Sequence, residues 1–529
     1  MKSKAEQSLR AISKIKYRLI LQGAVIGALA GLLVSMFRSI LAKAEGFRTL
    51  AVQGTMTNGK TMIFVLLGLS VCFFITRICL KLEPLCAGSG IPQVVGELKG
   101  KIFQNWWRII VTKFAGATFA ICGGLSLGRE GPSIQLGAMV GKGFAQVTGR
   151  LATEEKLLMT CGAAAGLSSA FSAPLAGVVF ALEELHNNFS TDILLGSMAA
   201  SMSANFVAYY IFGLDPVFSL SLHDSLPLYH YGSLLLLGIF LGLFGVVYVK
   251  AVDFLQNAYD KISNKTIRLA IPFLLVIVFA VHYPSVLGGG YELVSEVAKG
   301  NFLLGALGLL LLLKFGFSIL SFSAGAPGGI FMPLLVIGGI AGGFFFSVFR
   351  GLMGIEEAFI VNFVVYGMVG YFAAIVRSPV TGVILITEMV GITEMVGDFR
   401  NFLSLSIVAF TAYIIADLMR SLPIYDLLLS KILSKDKTYG MDEELRTNKV
   451  LLYSDVYISS FMDGEKIENM GLPAGTLVVA VNRGKGEIVP RGKTVLKGGD
   501  KLTVLCNQGD MAEVDSILKE ICRSEGKVR

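Results

Sequence analysis

GREGPSIQLG, Gly128 to Gly137, sets an arginine and a glutamate between two long apolar regions. Upstream runs WWRIIVTKFAGATFAICGGLSL, and downstream, after a polar break, LLMTCGAAAGLSSAFSAPLAGVVFALEE. A charge at membrane depth costs about 3 kcal/mol on insertion scales, so such a residue is usually paired or lines a water-filled path. Gly128 and Gly131 let backbone approach closely, Pro132 suits the first turn of a helix, and SIQLGAMVGKGF can continue as that helix. The stretch therefore predicts a helix N-terminus, where unpaired N–H groups and the macrodipole favour an anion. Glu130 is then a tethered carboxylate beside an anion site. It can fill the site, and protonation releases it.

The whole composition agrees with a membrane setting. The 529 residues are 54% hydrophobic and 16% charged, with a mean hydropathy of +0.68, which marks an integral membrane chain rather than a soluble globule. The 61 glycines suit close helix packing. A net charge of +8 invites a nucleic-acid reading, but much of the excess stands in MKSKAEQSLRAISKIKYR, ahead of the first apolar run. That placement holds residues 1–18 in the cytoplasm by the positive-inside rule, and no nucleic-acid partner is expected. The run from Leu19 to Phe37 has membrane length and no clear small-residue cleavage site, so it reads as a retained helix rather than a signal peptide. The seven cysteines form no Cys-x-x-Cys pair and read as small buried hydrophobes, and His186, His223, His230 and His282 lack zinc-ligand spacing. No metal and no cofactor are expected.

Apolar segments continue to about Leu429, many of them too short or too broken by Gly and Pro to be simple spans. Interrupted helices at membrane depth are the construction of transporters. AVQGTMTNGK, Asp215 to Tyr231, HYPSVLGGGYE and VGDFRN read as water-exposed loops. An internal repeat is also visible. PLAGVVFALEE from Pro174 aligns with PVTGVILITEM from Pro379, superposing Gly177 on Gly382 and Glu183 on Glu388; upstream, Gly128-x-x-x-Pro132 matches Gly329-x-x-x-Pro333. Two related halves follow, about 19–212 and 231–429 within a membrane domain 19–430, with a site expected at their interface. Whether the halves are inverted stays open at this stage. Residues 431–449 read as a polar linker. Beyond them, 450–529 read as a cytoplasmic β/α module: TLVVAVNRGKGEIVPRGKTVLKGGDKLTVLC gives short strands around Gly484, Gly486 and Gly498-Gly499-Asp500, and DMAEVDSILKEICRS a closing helix.

Three further stretches place small or polar residues at helix starts within apolar sequence. In GSGIP, Gly88 to Pro92, Ser89 sits like an N-cap with a hydroxyl able to donate to an anion. In SAGAPGGIFMP, Ser323 to Pro333, two glycines expose the amides of Ile330 and Phe331. In SLPIYDLLL, Tyr425 offers a phenolic hydroxyl. Neutral donors suit a small, weakly basic anion that must also leave.

GSGIP, GREGP, GGIFMP and the late Tyr425, in this order across residues 18 to 430, resemble the signature set of the CLC family of chloride channels and chloride/proton exchangers. The resemblance implies a polytopic α-helical fold of two repeated halves with broken helices, and a transport protein rather than an enzyme. It implies that the Ser89 and Tyr425 hydroxyls and the Ile330 and Phe331 amides hold a central chloride. Glu130 becomes the external gate, and the backbone around it, Arg129 and Gly131, forms an outer chloride site. It further implies that Glu184, the second glutamate of PLAGVVFALEEL, passes protons toward Glu130, which favours an antiporter over a passive voltage- or ligand-gated chloride channel of the same fold. Serine in GSGIP is similar to chloride-preferring members. A homodimer in a prokaryotic cell membrane, multi-pass and with both termini cytoplasmic, is the family's implication. The C-terminal module resembles the RCK-C (TrkA-C) domain on LPAGTLVVAVNRGKGEIVPRGKTVLKGGDKLTVL, which implies regulation by a small ligand, with a cyclic dinucleotide or another nucleotide as candidates.

Each residue has a plainer reading. Glu130 alone would pair with Arg129 or Lys113, and Glu183 and Glu184 would mark a helix end. Ser89 would be an ordinary N-cap, Phe331 a packing residue and Tyr425 an interfacial aromatic. Arg483, Lys485 and Arg491 would be a solvated face. An intramembrane serine protease requires a Ser–His pair that is not evident here, and a potassium pathway requires a TVGYG-like filter that is absent from the sequence.

Overall fold

The structure, a computed structural model, describes residues 4–55, 59–186, 189–214, 217–218, 220, 222, 224–300, 302–391, 400–435, 449–483, 486–507 and 510–523. His223, Gly484, Lys485, most of the linker and parts of three of the expected loops lie outside the described residues. The chain divides into two compact units, Met1–Val94 with Asn105–Leu429, and Val95–Gln104 with Ser430–Arg529.

In chain order, the first half carries α1 (Lys4–Thr55), α2 (Gly59–Leu82), α3 (Ile91–Leu98, divided between the units after Val94), α4 (Trp106–Cys122), α5 (Glu130–Val147), α6 (Ala152–Phe171), α7 (Pro174–Phe180) and α8 (Thr191–Phe212). The second carries α9 (Tyr231–Asp260), α10 (Lys265–His282), α11 (Tyr291–Ala298), α12 (Leu304–Ser323), α13 (Phe331–Met353), α14 (Ile360–Val376), α15 (Pro379–Met389) and α16 (Arg400–Leu418), followed by α17 (Ile424–Lys435). Among the described residues, eight helices are long and apolar enough to cross a membrane. Others are far too short: α3 and α11 have 8 residues each, about 12 Å of a core about 30 Å thick. Irregular backbone at such depth is tolerated where protein or a water-filled cavity covers it; α3 is buried along Ile91 to Leu98.

Glycine decides how closely the helices approach. A side chain on Gly137 of α5 would strike the Gly162 carbonyl of α6, and one on Gly162 would strike the Gly137 carbonyl. Gly338 of α13 and Gly367 of α14 stand in the same reciprocal relation. Backbone-to-backbone packing of this kind holds membrane helices together where lipid is as apolar as the side chains. The repeat thus extends from motif residues to packing residues.

The halves meet in antiparallel fashion. Gly128 and Gly329, equivalent in the sequence repeat, form an antiparallel bridge. Glu183 accepts the Val380 and Thr381 amides at 3.2 and 2.7 Å, and Glu388 accepts the Leu175 and Ala176 amides at 3.0 and 2.8 Å. Each glutamate therefore caps the N-terminus of the other half's short helix. Reciprocal contacts between equivalent residues define a local two-fold axis, the relation an inverted repeat produces.

Two of the expected loops differ. Of AVQGTMTNGK, residues through Thr55 continue α1. In HYPSVLGGGYE the chain is exposed through Ser285 and again at Glu292, but Val286 to Gly289 are buried, where Lys314 Nζ binds the Val286 and Gly288 carbonyls, each at 2.8 Å.

The second unit contains an antiparallel sheet in the order β1 (Lys449–Asp455), β4 (Lys501–Asn507), β2 (Leu477–Arg483), β3 (Gly486–Ile488), and α18 (Met511–Arg523). Alternating inward residues Val450, Leu452 and Ser454 of β1 are buried, as are Leu502, Val504 and Cys506 of β4, and Val514, Leu518 and Cys522 of α18 join the core. Arg483 is not simply solvated: its guanidinium grips the buried Asp500 carboxylate through both oxygens, at 2.8 and 2.7 Å.

Candidate functional site: two opposed helix N-termini and a carboxylate between them

The GREGP and GGIFMP turns start α5 and α13, with Arg129 and Ile330 as the respective N-cap residues. The bridge between Gly128 and Gly329 fixes the two helix ends against each other, so the N-terminal amides of both face one small region. Neighbouring loops are tied in the same way. Gly88 N donates to the Ala326 carbonyl at 3.2 Å, Gly328 N donates to the Gly88 carbonyl at 2.9 Å, and Gly288 N donates to the Gly124 carbonyl at 3.0 Å.

Two buried lysines complete this frame. Lys113 Nζ donates to the Cys86 and Gly88 carbonyls at 3.0 and 2.7 Å, as Lys314 does to those of Val286 and Gly288 in the other half. Carbonyl oxygens that would repel an anion are thereby turned to a cation and to neighbouring amides. Lys113 is engaged in this role and is not the ion-pair partner of Glu130.

Glu130 is fully buried. Its Oε1 accepts the Tyr291 hydroxyl at 3.1 Å, and its Oε2 lies with the Met332 amide beside Gly128, without a hydrogen-bond partner among the described residues. The carboxylate thus lies between the N-termini of α5 and α13, the place both dipoles favour for negative charge.

Around it stand the other residues singled out from the sequence. A Cβ on Gly131 would meet the Ser89 carbonyl at 2.6 Å and Gly329 Cα at 3.2 Å, so glycine there lets three loops meet. Ser89 is not an N-cap. Gly90 occupies that place, with φ +95° and its carbonyl accepting the Val94 amide at 3.1 Å, and the Ser89 hydroxyl is buried with no hydrogen-bond partner among the described residues. Tyr425, in the first turn of α17, is 2% exposed rather than interfacial. Its hydroxyl also has no partner among the described residues and lies within electrostatic reach of both Glu130 and Glu184. Buried hydroxyls normally find partners, and each that does not asks for a ligand or water. The Ile330 and Phe331 amides open α13, while the Phe331 ring packs on Phe171 and Phe372 at centroid distances of 5.4 and 4.6 Å.

Adjacent glutamates take different tasks. Glu183 is the helix cap described above and also accepts the Thr381 hydroxyl at 2.7 Å. Glu184 accepts the Ser378 hydroxyl at 2.5 Å from a π-helical segment, Ala181–Leu185, a distortion frequent at functional sites.

Tyr291 is the residue that sequence reading passed over. The repeat carries its signal, since Gly288-Gly289-Gly290-Tyr291 stands in the second half where Gly88-Ser89-Gly90-Ile91 stands in the first, but the stretch has no serine or proline to mark it as a helix start.

Residues 71–417 match the family model described as voltage gated chloride channel. The chain belongs to the CLC family. Among similar CLC proteins is the H(+)/Cl(-) exchange transporter ClcA of Vibrio parahaemolyticus, 32% identical over 444 residues that span 80% of this chain and 92% of the relative. ClcA of Vibrio cholerae is 31% identical over 443 residues, covering 81% and 92%. Among solved CLC structures, a slow cyanobacterial Cl-/H+ antiporter superposes with a TM-score of 0.74 at 25% identity, over 79% of this chain and 99% of that one. A eukaryotic CLC transporter shares the fold at 20% identity with a TM-score of 0.64, over 79% and 75%. Beyond the CLC region, residues 452–519 match the TrkA-C domain model. The chain is a multi-pass membrane protein of a transporter family with a small C-terminal sheet-containing domain.

Proposed function

We propose that this CLC protein is a secondary active antiporter that moves chloride in exchange for protons. The observation that carries the proposal is the Glu130 carboxylate lying between two helix N-termini, with the unpartnered hydroxyls of Ser89 and Tyr425 nearby. Chloride and the carboxylate compete for one electrostatic environment. Protonation removes the carboxylate's charge and with it the attraction of the helix ends, roughly 0.3–1 kcal/mol for each in exposed cases and more when buried. The neutral acid then leaves, chloride enters, and the Ser89 and Tyr425 hydroxyls with the Ile330 and Phe331 amides hold it at the centre. Arg129 and Gly131 contribute backbone to the outer position.

Glu184 loads the proton. Its carboxylate is oriented by Ser378, and Tyr425 interacts electrostatically with both glutamates. Proton passage between carboxylates that are not in contact runs through water, which the unpartnered Tyr425 hydroxyl can order. This arrangement favours exchange over a passive channel, as do the relatives named as exchangers. We further propose a homodimer in a prokaryotic cell membrane with both termini cytoplasmic, the basic segment 1–18 holding the N-terminus inside. The TrkA-C-like domain, 450–529 after a linker at 431–449, would take a small regulatory ligand such as a cyclic dinucleotide. The experiment that tests the transport reading is proton movement driven by an imposed chloride gradient in liposomes.

A further inference from the structure

We propose that the Tyr291 hydroxyl latches the Glu130 carboxylate in its site-filling position, so that Tyr291 is a positioning residue setting how readily the gate opens. The proposal rests on the reading of Glu130 as the gate.

Tyr291 is held at both ends. Its hydroxyl donates to Glu130 Oε1 at 3.1 Å. Its ring lies under the Arg129 guanidinium, 4.9 Å from the centroid, and 5.6 Å from the Phe218 ring. Because Arg129 is the N-cap of α5, the stacking ties the tyrosine to the helix that carries Glu130. Its backbone is set by Gly290, at φ +88°, and by the Gly288 and Val286 carbonyls bound to buried Lys314. A tyrosine fixed at ring and backbone offers a donor at a constant place.

The repeat sharpens the assignment. The lysine-anchored glycine turn is common to both halves, and the hydroxyl is moved. In the first half it is on Ser89, near the anion position; in the second, Gly289 has none and the next helix-opening residue, Tyr291, directs one to the carboxylate. Symmetric scaffolding thus supplies one donor for the anion and one for its competitor. A hydrogen bond to an ionised group favours that form, so the latch holds the deprotonated carboxylate and lets go of the protonated one more easily.

Charged and titratable groups facing Glu130 are Arg129 on its own helix, Tyr291 of α11 and Tyr425 of α17; those facing Tyr291 include Arg38 and Glu45 of α1. Changing only the Tyr291 hydroxyl leaves the rest in place. In Tyr291→Phe, chloride should bind more tightly by up to about tenfold, since its tethered competitor loses a charge-assisted hydrogen bond. Chloride turnover in liposomes should rise, the alkaline limb of its rate–pH profile should move to higher pH, and the chloride-to-proton ratio should be retained. The affinity gain should vanish in a Glu130→Ala background. Replacing Tyr291 with 3-fluorotyrosine, a stronger donor of nearly the same shape, should slow turnover. An unchanged affinity and pH profile in Tyr291→Phe, a gain that persists without Glu130, or faster turnover with 3-fluorotyrosine overturns the latch. Proton coupling that survives Glu130→Ala overturns the gate reading itself, a result read from the coupling ratio and not from Tyr291.

Discussion

Gly128 and Gly329 exchange both of their backbone hydrogen bonds, at 2.6 and 2.7 Å. This two-residue bridge sets two helix N-termini against each other, and the space between them favours an anion. The reciprocal caps and the paired lysines stabilise the same arrangement from behind. In the proposed transport mechanism, residues at the centre carry the ion chemistry and their equivalents in the surrounding frame do not.

The frame is tested by Glu183 and Glu388. Glu183→Ala removes the acceptor for the Val380 and Thr381 amides and the Thr381 hydroxyl, and Glu388→Ala the acceptor for Leu175 and Ala176. Each should destabilise the protein by about 1–3 kcal/mol, because the part-buried Thr381 or Ala176 amide loses a charged acceptor while its exposed neighbour turns to water. Thermal unfolding of the two variants in detergent should show similar losses; an unshifted midpoint in either removes it from the frame.

Glu184→Gln should separate from its neighbour. The amide oxygen still accepts the Ser378 hydroxyl, so the unfolding midpoint should stay near that of the parent chain, while coupled proton flux falls and chloride binding changes little. Measuring stability and flux on the same preparation decides the matter. A normal proton flux would assign Glu184 to structure.

The paired glutamates also show where sequence reading stops. The repeat, the four motifs and the β/α module were legible because glycine and proline mark helix starts and alternating apolar residues mark strands. Glu183 and Glu184 differ by one residue, roughly a 100° turn about a helix, and only their partners on α15 and in front of it, Thr381 and Ser378, tell the cap from the other. Ser89 looked like an N-cap because its residue type is common there; the positive φ of Gly90 moves the cap one position on. Tyr291 and Lys113 draw their roles from partners far along the chain, and no local pattern announces those.

Tyr425→Phe should weaken chloride binding at the central position on the order of tenfold, the worth of one hydrogen bond to a charged acceptor. Ser89→Ala should act in the same direction. Calorimetric titration with chloride reports both, and unchanged affinity in Tyr425→Phe would remove that hydroxyl from the site.

In the C-terminal unit, the bidentate bond from Arg483 holds the Asp500 carboxyl below the usual carboxylate range. A carboxyl depressed in the folded state adds stability that is complete above its unfolded value, about pH 4, and is lost as pH falls through the lower folded value. Asp500→Asn should therefore speed amide exchange in Lys501–Asn507 at neutral pH, with the difference from the parent shrinking in acid below that window. Equal exchange at neutral pH would contradict the assignment.

Coupling through Glu130 is tested most directly by proton movement in liposomes holding the purified chain, with an imposed chloride gradient and the voltage clamped by a potassium ionophore. Protons should be driven against their own gradient, and Glu130→Gln should abolish this movement while chloride continues to flow. Chloride flux without uphill proton movement in the parent chain, or chloride-driven proton pumping that persists in Glu130→Gln, would contradict it.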